Sequence, residues 1–154
     1  MEPIVPFRLL ITVVEVAATM AFALSGFAAG ARKRLDIVGL FAVAFLAAFG
    51  GGTIRDVLLD RRPFFWVEHV EYLWLIFFMS FAAIPLLRRR GIEFGKRAIE
   101  LTDAVGLGLF SIVGTSQALA MELPAFVAVM MGVITGIFGG VMRDVVCGDL
   151  PTVF

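Results

Sequence analysis

Apolar residues run through the chain in five stretches, each suited to a bilayer crossing, which takes about 20 residues of helix. The pattern predicts transmembrane helices near residues 7–30, 36–59, 69–87, 98–119 and 124–147. Short polar segments join them: Arg32 to Leu35, Asp60 to Glu68, Arg88 to Arg97 and Met121 to Leu123. No segment is left for a soluble domain. The first stretch ends in small residues, as a secretory signal does. Glu2 accompanies Arg8 at its start, however, and the basic Arg32, Lys33 and Arg34 follow it, so it reads as a retained helix. Trp66, Tyr72 and Trp74 gather around the start of the third stretch, as an interfacial aromatic belt would.

The polar positions inside these stretches are duplicated. Gly51, Gly52, Arg55, Asp56, Val57 and Pro63 recur as Gly139, Gly140, Arg143, Asp144, Val145 and Pro151, 88 positions later. The same offset, without a gap, pairs Glu15 with Asp103, Phe22 with Phe110, Gly26 with Gly114 and Leu35 with Leu123. Self-similarity at a fixed period marks a structural repeat. Residues 1–97 form a first repeat of three helices and residues 98–154 a second with two.

Three crossings per repeat is an odd number, so the second repeat enters the membrane from the opposite side. Charge supports this inversion. Arg32-Lys33-Arg34 corresponds to Ala120-Met121-Glu122 in the second copy. One face collects Arg32, Lys33, Arg34, Arg88, Arg89, Arg90, Lys96 and Arg97, and the other only Arg8, Arg61 and Arg62. The first face is expected in the cytoplasm of a cell-membrane protein with its N-terminus outside. Inverted repeats of this kind place a substrate or ion site near the midplane between the copies.

Composition agrees and narrows the function. Hydrophobic residues make up 60% and charged residues 17% of the chain, and the mean hydropathy is +0.98. An all-α integral membrane protein follows. The formal net charge of zero gives no support for nucleic-acid binding. Cys147 is the single cysteine, which allows no intrachain disulfide and reads as a small packing residue. His69 stands alone beside a membrane boundary with no cluster at metal-ligand spacing. Ser25, Ser80, Ser111 and Ser116 lack a histidine at recognisable spacing, and the glycines lack the Gly-Lys-Ser/Thr ending of a phosphate loop. An enzyme is not expected, nor a cofactor or a soluble partner.

Gly50, Gly51 and Gly52 arrive after about 14 helical residues, roughly 20 Å into the bilayer, and Gly139 and Gly140 do the same in the fifth helix. They predict breaks in both helices, whose freed carbonyls suit a cation and whose freed amides suit an anion. Close helix packing is the competing role for small residues. Arg55, Asp56, Arg143 and Asp144 follow the glycines, and adjacent helical positions diverge, so each Arg is expected to find partners other than the Asp beside it. They either brace the broken segments or line a pore mouth. Glu15 and Asp103 are intramembrane acids and candidate functional positions; pairing with a basic residue is the alternative.

The duplicated Gly-Gly-x-x-Arg-Asp segments, three helices per repeat and an outside N-terminus resemble the prokaryotic branch of the trimeric intracellular cation (TRIC) channel family. Its bacterial domain also goes by the name glycine transporter domain. The resemblance covers essentially all 154 residues. It implies a homotrimer in lipid, each protomer conducting monovalent cations, chiefly potassium and also sodium, past the glycine-kinked second and fifth helices. Gly50, Gly51, Gly52, Gly139 and Gly140 are then the kinks, with Arg55, Asp56, Arg143 and Asp144 the associated charges. Phe138 stands where the first copy has Gly50, so the inner kink is expected to be less open. The family has a further helix in its second repeat and then a seventh, whereas this sequence stops at Phe154, the counterpart of Trp66; it reads as truncated. A secondary transporter of a small amino acid such as glycine is the second reading, because broken helices could hold a carboxylate on amides and an ammonium on carbonyls or Glu15.

Overall fold

The computed structural model describes residues 5–90 and 95–153, and the regular structure among them is helical. In chain order it forms α1 (Val5–Arg32), α2 (Ile37–Leu58), the single turn α3 (Phe65–Glu68), α4 (Val70–Arg90), α5 (Lys96–Ala120) and α6 (Ala125–Val146). The five long helices lie where the apolar stretches put them, while α3 adds a turn that hydropathy does not predict. By length and composition α1, α2, α5 and α6 can each cross a membrane; in α4 the described apolar part is the shorter Val70–Ala83. The Arg88 to Arg97 connection falls partly, and the correspondence at Phe154 wholly, outside the described residues.

Small residues bring the helices together in antiparallel pairs. A Cβ added to Gly26 of α1 would come within 2.6 Å of Ala44 Cα and 3.0 Å of Val43 O on α2. The same crossing recurs 88 positions on, where a Cβ on Gly114 of α5 would lie 2.9 Å from Met131 O on α6. Between the repeats, α1 runs against α5. Phe22 stacks on Phe110 with ring centroids 5.6 Å apart, Ser25 bonds to Asp103 and Gln117 reaches Glu15. Numbers that rise along α1 fall along α5, so these helices are antiparallel.

The crossing of α2 with α6 fixes the symmetry. A Cβ on Gly51 would overlap the carbonyl oxygen of Thr135, and one on Gly139 would overlap that of Ala47. Gly51 and Gly139 are mates under the offset, as are Ala47 and Thr135. Each glycine thus meets the other's partner, an exchange that a two-fold axis produces and a simple translation does not. Phe22 and Phe110 are mates that touch each other, so they sit at that axis. The repeat is inverted, as three crossings per copy require.

Helix ends repeat as well. Leu35 N donates to Gly30 O (3.1 Å) and Leu123 N to Ala118 O (3.2 Å); Arg61 N donates to Asp56 O (2.8 Å) and Asp149 N to Asp144 O (2.9 Å). Each closes the last helical turn and requires a left-handed residue just before the donor. Those residues are Arg34 (φ 54°), Glu122 (φ 59°), Asp60 (φ 49°) and Gly148 (φ 70°). Only the fourth end uses the residue that adopts this conformation without strain.

In the first repeat α4 packs on α2 through Phe41, Phe45, Tyr72, Leu73 and Ile76. Trp66 and Tyr72 turn inward to this cluster and Trp74 stays exposed, so one member of the expected aromatic belt points outward. Large apolar side chains such as Leu101, Ile112, Phe126 and Val129 face out, which a hydrocarbon surround accommodates. Cys147 packs against the cluster of Ala28, Ala29, Val43 and Ile99, the small packing role expected of it.

The helices differ from expectation at the glycines. α2 continues as one helix of 22 residues through Gly50, Gly51 and Gly52, and α6 as one of 22 residues through Gly139 and Gly140. Glycine lowers helix stability by about 1 kcal/mol per residue, yet a helix continuous through these positions keeps the backbone around them paired where lipid could not. Gly51 and Gly139 admit the neighbouring backbone instead of freeing their own.

Candidate functional site

Two clusters of buried charge flank the glycine crossing, related by the two-fold. In the first, between α1 and α2, Arg55 is fully buried. Its Nη1 donates to Glu15 Oε1 at 2.7 Å and its Nε to Asp56 Oδ1 at 2.8 Å. Nη2 also lies 2.7 Å from Asp56 Oδ1, but without hydrogen-bond geometry, so that nitrogen is held by charge alone. In the second, between α5 and α6, Arg143 Nε donates to Asp144 Oδ1 at 2.8 Å and Nη2 to the same oxygen at 2.6 Å. Its Nη1 bonds to Asp103 Oδ1 and to Ser25 Oγ.

Each arginine therefore pairs with the aspartate next to it as well as with the acid of the neighbouring helix. The expectation of separate partners fails because helix geometry separates Cβ atoms, whereas an arginine stem is long enough to fold its guanidinium back to the adjacent carboxylate. The carboxylates are shared further. Asp56 Oδ2 accepts from Phe65 N (3.0 Å) and Asp144 Oδ2 from Thr152 N (3.0 Å), so each aspartate also ties the chain that leaves its helix. Glu15 and Asp103 are paired with arginine, as the alternative reading had it.

The clusters are not identical. Ser25 Oγ donates to Asp103 Oδ1 at 2.6 Å, while its mate under the offset is Val113. Gln117 Nε2 approaches Glu15 Oε2 at 3.5 Å, while its mate is Ala29. Asp103 keeps 16% of its side-chain surface exposed against 6% for Glu15. Sequence reasoning misses Gln117, and it weighs Ser25 only as a nucleophile, not as a partner of buried charge. Neither is preserved by the offset, which was the signal that found the others.

The five glycines divide by what surrounds them. Gly51 and Gly139 are filled by opposing backbone, and a Cβ on Gly50 would lie 2.7 Å from Met142 Sδ. Gly52 and Gly140 have room. A Cβ on Gly52 would meet only Arg55 Nη2, at 3.8 Å; one on Gly140 would meet Phe22 Cε1, Asp103 Oδ2 and Arg143 Nη2 at 3.8–4.0 Å. The open glycines are thus the pair that borders the charged groups.

Outside the helices Lys33 Nζ donates to Asp149 Oδ1 at 2.6 Å, placing the α1–α2 turn and the chain after α6 on one membrane face. This bond holds the Asp149 carboxyl below its ordinary range. His69 contacts Glu71 (3.1 Å) and packs on Phe65 and Tyr72. Among the described residues no group of three or more His, Cys, Asp or Glu could hold a metal ion.

A family model described as glycine transporter matches residues 12–88 and 100–154. A UPF0126 membrane protein of Vibrio cholerae is 38% identical over 144 residues, 94% of this chain and 60% of its own length. A UPF0126 inner membrane protein of Escherichia coli is 37% identical over 139 residues, 90% of this chain and 67% of its own. The chain thus spans about 60% of the Vibrio relative's length. Among solved structures, the TRIC trimeric intracellular cation channel orthologue from Rhodobacter sphaeroides superposes with a TM-score of 0.85 at 31% identity, covering 94% of this chain and 74% of that one. A prokaryotic TRIC channel in 0.5 M KCl gives 0.87 at 29% identity, covering 96% and 75%. This multi-pass membrane protein therefore belongs to the trimeric intracellular cation channel family, in the group whose domain is described as glycine transporter.

Proposed function

We propose that the full chain is a homotrimeric channel for monovalent cations, potassium foremost and sodium with it. It lies in the cell membrane with its N-terminus outside. The ion path in each protomer runs beside α2 and α6, past Gly52 and Gly140. One observation carries this reading: two symmetry-related clusters, each with two carboxylates around one guanidinium, border the open glycines. Buried carboxylates that outnumber their cation favour a passing positive charge over a negative one. The likeness to solved cation channels points the same way. Because α2 and α6 are continuous, the path gains its polarity from these side chains rather than from freed helix carbonyls.

Recording from the reconstituted full chain in potassium and then sodium solutions tests the proposal. Discrete current steps whose reversal potential follows the cation gradient are expected. The description glycine transporter favours a second reading, uptake of a small amino acid. Saturable glycine uptake without current steps would establish that reading and end the first.

A further inference from the structure

We propose that the stacked pair Phe22–Phe110 is a hydrophobic gate that closes the conduction path at the two-fold axis, between the outer charged cluster at Glu15 and Arg55 and the inner one at Asp103 and Arg143. This rests on the channel reading above. Position along the helices comes first. Asp103 and Gln117 mark the inner and outer clusters on α5, about 21 Å apart at the helical rise, and Phe110 is halfway between them. On α1, Phe22 likewise lies between Glu15 and Ser25.

The layer around the pair is dry. Phe22 and Phe110 retain 1% and 2% of their surface, and Ala18 and Ala47, which pack with them, retain none. The nearby hydroxyls of Thr19 and Thr135 donate to carbonyls of their own helices, Glu15 O at 2.8 Å and Met131 O at 2.6 Å, and so keep their protons turned away from any path. An ion crossing here would leave water with no group to replace its hydration, and hydrophobic constrictions of this kind gate by excluding water. The plug borders the polar space: a Cβ on Gly140 would lie 3.8 Å from Phe22 Cε1 and 3.9 Å from Asp103 Oδ2. Gly106 lets the Phe22 ring lie directly against α5, since a Cβ there would come within 2.6 Å of the ring. A rotation of either ring out of the stack would open the apolar layer between the two charged clusters.

Flux through the full chain in liposomes tests the gate. Phe22→Asn and Phe110→Asn should each raise resting potassium flux about tenfold or more by wetting the layer, while Phe110→Leu, still apolar, should stay close to the unaltered protein. Thermal unfolding identifies any variant that fails to fold. A second measurement leaves both rings in place. In a Cys147→Ser background, Gly52→Cys and Gly140→Cys should each react with a membrane-impermeant thiol reagent from one face only, and from opposite faces. Either cysteine reacting equally from both faces overturns the gate. Potassium flux in the unaltered protein with no change in the folded Asn variants overturns the gate alone. Absence of potassium flux in all of them overturns the channel reading and the gate with it.

Discussion

Removing Arg55 should cost more stability than any other single truncation in the molecule. Its guanidinium is fully buried and paired with carboxylates that are 6% and 1% exposed. Arg55→Ala leaves both carboxylates inside the helix bundle without a counter-charge. Breaking a buried pair in this way costs about 3–5 kcal/mol, much of it from the group left behind, and the upper half of that range applies because two acids are stranded. Arg143→Ala should cost less, nearer to about 3 kcal/mol by the same reasoning. Asp103 keeps 16% of its surface open and can draw in water. Ser25 can still donate to it.

The cost should be recoverable, and this separates charge from packing. Glu15→Met and Arg55→Met combined with Asp56→Asn removes every formal charge and fills the volume. The Asp56→Asn change keeps a side-chain carbonyl oxygen for Phe65 N, which now donates to Asp56 Oδ2 at 3.0 Å. Most of the loss in Arg55→Ala should return in that triple variant, since replacing a whole buried ionic group by apolar residues is often neutral. Unfolding by a denaturing detergent in mixed micelles measures each difference. A loss below about 1 kcal/mol for Arg55→Ala, the value of an exposed pair, would refute the assignment of Arg55 as a buried brace. A triple variant no more stable than Arg55→Ala would show that packing, not unpaired charge, carries the effect.

Alanine at Gly51 or Gly139 forces a Cβ into an opposing carbonyl oxygen and should destabilise by about 1–3 kcal/mol or more. Gly52→Ala and Gly140→Ala have room and should unfold within about 1 kcal/mol of the unaltered protein while lowering conductance; equal losses at all four positions would remove the distinction between crossing and path. At the left-handed helix ends, Arg34→Gly, Asp60→Gly and Glu122→Gly should each raise stability by up to about 1 kcal/mol, and Gly148→Ala should lower it by a similar amount. Asp149 has its carboxyl pKa lowered by Lys33, so the bridge stabilises above the unfolded carboxyl value of about 3.9 and is lost as pH falls through the lower folded value. The stability difference between the unaltered protein and Lys33→Ala, followed from about pH 7 to about pH 2, should shrink over that interval; a difference independent of pH would detach it from Asp149.

Helix positions, inversion and the charged candidates were legible because each leaves a one-dimensional trace. Bilayer thickness sets the length of an apolar run, and the offset that pairs Glu15 with Asp103 and Arg55 with Arg143 is visible without coordinates. Contacts that depend on the relative placement of helices leave no such trace. Glycine is used both where a helix breaks and where a backbone approaches, so Gly51 alone could not say which; Thr135 O in the place of its missing Cβ does. The places of Ser25 and Gln117 in the clusters were invisible for a different reason. The offset highlights what the two copies share, and these residues are where the copies differ, each adding one polar group to one cluster. Phe22 and Phe110 show the limit most directly. Their correspondence can be read from the sequence, but a residue meets its own mate only at the axis, and the position of the axis is set by where α1 crosses α5. A gate at the axis is therefore built from one repeated position, and a single ancestral phenylalanine at that position would have supplied both rings.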